Sequence, residues 1–406
     1  MIRDTIEANW QREVEFLKAL VRSPSDNPQG DCAAAAEIAA KELERLGFQV
    51  ERYPVPDDLV RTTGMKSATN LIVRKTFGSG KGPIIALNAH GDVVPPGEGW
   101  TVDPYGAVER DGALYGRGVA VSKSDFATYA FALLALEANS AGLDGGVELH
   151  FTYDEEAGGM IGPKWLIERG LTRATLAISA GFAYAITTAH NGVLHLEVTV
   201  RGRQAHAAMP ATGIDALEAT VPVLAAIYDE RKRLAGIVSK EKGIGSPQIT
   251  VGLISGGINT NVVPDRIQFR IDRRIIPEEN GAEVEEALVG LIEAALPKER
   301  GARVECRRIM LAEPLRPLPG VERLVETIGR RAAGVLGVPV LPTGVPLYTD
   351  ARHYTAAGIP TVLYGAGPRS ILEANAHGAD EHLQLADLRA ATEVIAVTLS
   401  DLLSAI

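Results

Sequence analysis

Three short segments carry the residue types that hydrolytic or metal chemistry uses. The first is Ala89-His90-Gly91-Asp92, at the end of the apolar run Pro83–Asn88. A histidine two residues before an aspartate can offer one ring nitrogen to a cation while the carboxylate holds the other, which fixes the tautomer and raises basicity. The second is Tyr153-Asp154-Glu155-Glu156-Ala157-Gly158-Gly159, directly after Val147–Thr152. Three adjacent carboxylates repel one another and call for a cation or a proton. One bound to a metal and one left free would supply a ligand and a general base. The third is Asn375-Ala376-His377-Gly378-Ala379-Asp380-Glu381, which follows a glycine-rich loop, Tyr364–Pro368. The first two segments also fit plainer readings: a helix-capping Asp beside a surface His, and a solvated acidic turn.

Groups so far apart in sequence need rigid elements to bring them together. Ile6, Trp10, Val14, Leu17 and Val21 recur at three- and four-residue spacing, which predicts a helix closed by Pro24. A second helix is predicted from about Cys32 to Leu46, ending at Gly47. Strands at Pro83–Asn88, Val147–Thr152 and Leu176–Ser179 alternate with a helix near Ser124–Ala138, the α/β pattern. In open α/β sheets ligands bind beyond the carboxyl ends of strands, where His90 and Glu155 fall. After Gly192 the pattern changes. Val193–Val200 alternates with period two, predicting a strand with one exposed face. A helix (about Ile214–Arg231), two strands (Gln248–Ile254, Arg266–Asp272) and a helix (Ala282–Ala295) follow, and the α/β pattern resumes near Pro314. The expected architecture is an α/β domain with a mixed, mainly parallel sheet flanked by helices, residues 1–190 and 309–406. It is interrupted by an α+β domain with an antiparallel sheet, 191–308.

Composition narrows the function classes. The chain has 406 residues, 46% of them hydrophobic, enough for a large core and more than one domain. Its 41 Lys and Arg against 51 Asp and Glu leave a net charge of −10, and both signs are interspersed, which disfavours a nucleic-acid partner. Cys32 and Cys306 cannot form a disulfide framework and read as cytosolic thiols. Charges interrupt every apolar stretch near the N-terminus, against a signal peptide. The run Ala174–Leu196 lacks Asp, Glu, Lys and Arg, but Ser179, Gly181, Thr187, Thr188, His190 and Asn191 make two buried strands joined by a turn the better reading than a membrane span. A cytoplasmic enzyme with no membrane partner is expected.

Read in order, NAHGDVVPPGEGWTVDPYGAVERDGALYGRG, TYDEEAGG, RQAHAAMP, ISGGINTNVVPDRIQFRIDRR and YGAGP…ANAHGADEHL resemble the metallohydrolase family of aminoacylase, the glutamate carboxypeptidases and succinyl-diaminopimelate desuccinylase. The resemblance spans about residues 85–385. It implies a catalytic domain with a two-metal site and an inserted lid domain through which two subunits form a homodimer. It implies His90, His377 and Glu156 as metal ligands, Asp92 as the orienter of His90, and Glu155 as the general base. His206 matches a lid histidine that reaches the partner's active site and stabilises the oxyanion. Asn261, Arg274 and the Gly365–Gly367 loop match groups that hold a substrate carboxylate, a role suited to the planar fork of Arg.

Two positions depart from the family pattern. The signature Gly-Arg-Gly, two residues, Asp, any residue, Lys reads here Gly116-Arg117-Gly118-Val119-Ala120-Val121-Ser122-Lys123, so valine stands where the bridging aspartate belongs. Asp125 could replace it only if the backbone there were displaced. The acid expected at the end of the strand before the lid is also missing: Ala177–Tyr184, around Ala180, has none, and no acid occurs between Glu168 and Glu197. The ligand set therefore shrinks to His90, Glu156 and His377. At most one labile divalent ion (Zn, Mn or Co) is expected, favouring the Glu156/His377 half. The expected function is hydrolysis of an amide or related C–N bond in a small carboxylate-bearing molecule, an N-acyl amino acid or dipeptide-like. The alternatives are a lyase or isomerase using Glu155 and His206 as base and acid, and an inactive small-molecule-binding homologue. His150 and His195 read as packed or surface positions, His190 as a hinge, His353 as a local cap, and one of Tyr348, Thr349 and Asp350 as a pocket residue.

Overall fold

The structure, a computed structural model, describes residues 1–297 and 301–404. The chain divides into two compact units, Met1–Thr188 with Pro317–Thr343 and Thr349–Ile406, and Ala189–Arg316 with Gly344–Tyr348.

The first unit is built on an eight-stranded sheet. From edge to edge its strands are Val50–Pro54, Thr69–Phe77, Gly145–Thr152, Ile84–His90, Leu176–Ser179, Thr361–Leu363, Ile186–His190 and Pro342–Val345. The centre is parallel, with Ile84–His90 between Gly145–Thr152 and Leu176–Ser179. A strand covered on both faces reads as a continuous apolar run, and all eight residues of Gly145–Thr152 are buried. The helix Lys123–Glu137 is buried along nearly its whole length. It lacks a polar stripe because the sheet covers one side and the helices Ile2–Val21 and Leu385–Leu403 cover another. The parallel centre brings the carboxyl ends of several strands to one edge, so His90 and the turn after Thr152 emerge side by side.

One expectation about this sheet needs correction. Leu176–Ser179 and Ile186–His190 are not neighbours; Thr361–Leu363 lies between them, parallel to the first and antiparallel to the second. The residues between them, 180–185, can reach about 20 Å, ample to step over one strand at about 4.8 Å spacing. Apolar character showed two buried strands but carried no information about the third that separates them.

The second unit is a four-stranded antiparallel sheet in the order Gln248–Gly256, Arg266–Ile275, Gly192–Arg201, Arg303–Ala312, packed against the helices Ala216–Leu234 and Gly281–Ala295. Asp215 and Asn280 cap those helices, accepting backbone N–H donors at 2.8–3.2 Å. The strand Arg303–Ala312 was missed in sequence because four charged residues in its first six mask the alternation, and the expected boundary at 308 falls inside it. Gly192–Arg201 does not have the exposed face its pattern suggested; only Arg201 is exposed. It is an inner strand, and Glu197 on it is ion-paired with Arg270 (2.9 Å) and Arg307 (2.7 Å) from the flanking strands. The stems of those arginines cover the surface that alternation alone would leave to water. Among the described residues, no helix is long and apolar enough to cross a membrane.

Candidate active site

His90 ends its strand with its backbone fixed on both sides by one hydroxyl. Its N–H donates to Ser122 Oγ (3.0 Å), and Ser122 Oγ donates to the His90 carbonyl (2.9 Å). The ring Nδ1 lies 3.0 Å from the Asp92 carbonyl oxygen and 3.3 Å from Asp92 Oδ1. Both are acceptors, so Nδ1 carries the hydrogen and the lone pair of the neutral ring is on Nε2. Burial by itself would lower the affinity of the ring for a proton. Asp92, Glu155 and Glu156 outweigh it and hold His90 well above the usual histidine range.

Asp92 is the hub. It is fully buried. Oδ1 accepts the Glu155 N–H (3.2 Å), while Oδ2 accepts the Glu156 N–H (3.1 Å) and Asn27 Nδ2 (3.0 Å). One carboxylate thereby caps the short 3-10 turn Glu155–Ala157, whose first N–H groups have no partner within the turn, and orients His90. Asn27 belongs to the segment after the first helix. Ser25 Oγ donates to the Gly91 carbonyl (2.6 Å), and Lys123 Nζ donates to the Leu20 and Ser23 carbonyls (3.1 and 2.9 Å). Burial lowers the Lys123 pKa to about 8.

Glu155 is partly exposed at this turn. Desolvation raises its pKa to about 7, with Glu156 and Asp92 adding to the shift and His90 opposing it. A general base works best with a pKa near the working pH. Glu156 Oε1 is buried with no hydrogen-bond partner; its nearest cationic group is His377 Nε2, at 3.5 Å. His377 has a positive φ of 63°, a costly conformation away from glycine. Its loop is held by a buried pair: Arg117 Nη1 donates to Glu381 Oε2 (2.5 Å) and Arg117 Nη2 to the Gly378 carbonyl (3.0 Å). Glu381 Oε1 accepts the Ala120 and Val121 N–H groups (2.9 and 3.3 Å), so one ion pair ties the His377 loop to the Gly116–Lys123 turn.

His90, Glu155 and Glu156 each offer a ligand atom, and the three atoms lie within 4.8 Å of one another. One nitrogen, carboxylate oxygens and an unpartnered buried oxygen on Glu156 suit a divalent ion such as Zn, Mn or Co. The group gathers around His90, whereas the sequence had favoured the Glu156/His377 half; Glu156 is common to both. Val121 presents an apolar side chain, and Ala180 offers only a backbone N–H, donated to Asn88 O (2.8 Å). Asp125 does not fill the gap. Its Oδ1 accepts the Ala366 N–H at 2.8 Å, and a Cβ added at Gly365 would meet that same oxygen at 1.8 Å.

Close packing therefore accounts for the glycines of the 365–367 loop. The Gly367 N–H donates to the Gly181 carbonyl (2.9 Å) and the Ala366 N–H to Asp125, so these amides are engaged within the protein. Burial raises Asp125 to about 7. A carboxyl whose pKa is higher folded than unfolded stabilises the fold fully below about pH 4, and this is lost as pH rises to 7. Asp125→Asn keeps the acceptor for Ala366 and removes the titration. Urea unfolding from pH 4 to 8 is expected to show a flatter profile than wild type, with the variant the more stable at pH 8.

Three expected residues belong to the second unit. His206 is exposed, with Nδ1 accepting the Ala208 N–H (3.1 Å). Ala207 N–H donates to the Asn261 carbonyl (3.0 Å), and His206 bridges to Val262, so these segments lie side by side. Arg274 directs Nε and Nη2 at Asp272 (2.9 and 3.1 Å), which also meets His195 Nε2 (2.9 Å). Sequence reasoning had no role for Asn27, Ser122, Arg117 or Glu381. The last two lie in quoted motifs, but nothing in their spacing pairs residues 264 positions apart.

The family of peptidases M20/M25/M40 matches residues 86–401. The chain belongs to that family. It is 28% identical over 391 residues to a succinyl-diaminopimelate desuccinylase of Acidiphilium cryptum, covering 94% of this chain and 96% of the relative. It is 29% identical over 366 residues to an acetylornithine deacetylase of Myxococcus xanthus, covering 89% and 90%. Among solved structures, the di-peptidase Dug1p of Saccharomyces cerevisiae superposes with a TM-score of 0.79 at 13% identity, covering 100% of this chain and 98% of that one. The aminopeptidase PepT of Bacillus cereus superposes with a TM-score of 0.75 at 23% identity, covering 97% and 99%. The chain is thus a metal-dependent hydrolase of C–N bonds with the M20 fold.

Proposed function

We propose that this M20 hydrolase removes the acyl group from an N-acyl amino acid or cleaves a dipeptide-like substrate, with Glu155 as the base and no more than one labile divalent ion. The gathering of His90, Glu155 and Glu156 on the Asp92 hub carries the reading. The desuccinylase and deacetylase relatives are named for such deacylations. His90 and Glu156 would hold the ion, with His377 beside Glu156. A divalent cation there supplies Lewis acidity to the reacting carbonyl. Glu155 takes a proton from the attacking water as its oxygen bonds to the carbonyl carbon, then delivers that proton to the nitrogen as the C–N bond breaks. His206 of a second subunit stabilises the oxyanion. Arg274, through Nη1, and Asn261 hold the substrate carboxylate.

One relative in structure, a Bacillus subtilis protein with a TM-score of 0.71 at 17% identity, is described as a dinuclear metal-binding peptidase. Valine at 121 and alanine at 180 remove two carboxylates from the set that two ions need. Metal analysis is expected to give one ion or less per chain, and Val121→Asp to raise metal affinity at least tenfold. Two tightly held ions in the wild type would reject the single-ion reading. A screen of N-acyl amino acids and dipeptides with Mn²⁺, Zn²⁺ and Co²⁺ tests the substrate class; no turnover of any would reject it.

A homodimer through the second unit fits its surface. The edge strand Gln248–Gly256 exposes Leu253 and Ile254, and the adjoining helix exposes Leu217, Val221 and Tyr228. An exposed apolar edge needs cover. Cys32 and Cys306 are unpaired, in keeping with a cytoplasmic setting.

A further inference from the structure

The short helix Ala351–Ala356 is packed against the Glu155 turn through groups that the hydrolytic scheme leaves unused. Arg352 is 5% exposed and His353 9%. The Arg352 guanidinium bridges two segments: Nη1 donates to the Thr349 carbonyl (3.0 Å) and Nη2 donates to the Gly158 carbonyl, three residues after Glu155. His353 Nε2 also meets that carbonyl, at 3.2 Å. The approach is close enough to demand glycine next door. Gly159 has φ +66°, and a Cβ there would stand 2.1 Å from Asp350 Oδ1 and 2.8 Å from His353 Nε2.

The helix is itself anchored to the sheet. Glu148 and His150 lie on the fully buried strand that leads into the Glu155 turn. His150 Nε2 faces Glu148 Oε2 at 3.0 Å, so it carries the hydrogen, and Nδ1 accepts the Tyr354 hydroxyl at 2.8 Å. Strand, helix and turn thus form a closed brace. Asp92 holds the turn at its first N–H groups, and Arg352 holds the carbonyl of Gly158, the residue that closes it.

We propose that Arg352 is a positioning residue for hydrolysis, fixing the Glu155 carboxylate by clamping the Gly158 carbonyl to the Ala351–Ala356 helix, with His353 and the His150–Tyr354 hydrogen bond as its support. This rests on Glu155 being the base. A lysine keeps the charge near Glu155, Asp154 and Asp350 but offers one rotatable ammonium in place of the rigid two-nitrogen fork, so it does not fix the two carbonyls in the fork's geometry. Arg352→Lys therefore separates geometry from charge.

The expected result for Arg352→Lys is a kcat 10–100-fold lower, about the effect of a misplacement near 1 Å, with KM within twofold and metal content unchanged. Tyr354→Phe loses one hydroxyl and keeps the packing; its kcat is expected to fall three- to tenfold with the same unchanged KM. A wild-type kcat in Arg352→Lys, or a change in KM alone, overturns the clamp. If Arg352→Lys does not fold, Tyr354→Phe decides, and a wild-type kcat there overturns it; failure of both to fold makes the brace a folding element and likewise rejects the assignment. Glu155→Gln read alongside distinguishes the two ideas. Full activity in Glu155→Gln removes the base, whereas an inactive Glu155→Gln beside a wild-type Arg352→Lys removes the clamp alone.

Discussion

Glu155→Gln is expected to lower kcat by about 10²–10⁴-fold, the usual contribution of a positioned base, while the protein stays folded and keeps its metal. Glutamine preserves the size of the side chain and the backbone N–H that Asp92 accepts. It removes the only function the scheme asks of this group, uptake of a proton from water. The pH profile gives a second reading. A base must be ionised to act, so wild-type kcat/KM rises with pH through the pKa of Glu155 and then levels. Burial and the neighbouring acids put that pKa at about 7; a cation at His90 and Glu156 favours the ionised form and draws the limb to or below pH 7. The residual activity of the variant should lack the limb. Metal analysis on the same sample separates loss of the base from loss of the ion.

Asp92→Asn is expected to damage both stability and catalysis. Four donors converge on this buried carboxylate: the Glu155 and Glu156 N–H groups, Asn27 Nδ2 and His90 Nδ1. The amide turns one acceptor oxygen into a donor, so whichever way it is placed, an N–H faces an N–H. Leaving one or two such groups unsatisfied costs about 1–3 kcal/mol each, and urea unfolding should show a loss of about 2–4 kcal/mol. Removing the partner that orients a metal-ligating histidine typically costs 10–100-fold. The turn carrying Glu155 loosens as well, so kcat/KM is expected to fall about 10²–10³-fold. A variant with wild-type kcat/KM would show that the hub is not needed. Asn27→Ala, which takes one donor from the Asp92 carboxylate and leaves both of its oxygens as acceptors, should fall between this variant and wild type.

Much of the site was legible because its residues are announced locally. His90 and Glu155 follow apolar runs that had to be buried strands, and parallel strands side by side deliver their ends to the same edge. The losses at 121 and 180 were equally plain, since residue identity alone decides whether a side chain can ligate. Other features were not legible for definite reasons. The strand Arg303–Ala312 hid its alternation under charge. Gly365 and Gly367 suggested a loop that grips a ligand, yet the space a Cβ would take is filled by Asp125 and the Gly181 carbonyl. Arg274 has the right type for a carboxylate, but its type did not show that Nε and Nη2 engage Asp272 two residues away.

Taken by itself, the sequence determined the α/β architecture with its antiparallel insertion, the residue types of the His90, Glu155–Glu156 and His377 segments, and the lack of an acid at positions 121 and 180. These follow from hydrophobic period and side-chain type, properties that a residue and its near neighbours carry with them. Only the tertiary structure decided which partners hold the site in place. Asn27 reaches Asp92 across 65 positions, Arg117 reaches Glu381 across 264, and Arg352 reaches the carbonyl of Gly158 across 194. A hydrogen bond depends on a distance of about 3 Å and a direction, and chain spacing encodes neither until the sheet has set the strands side by side.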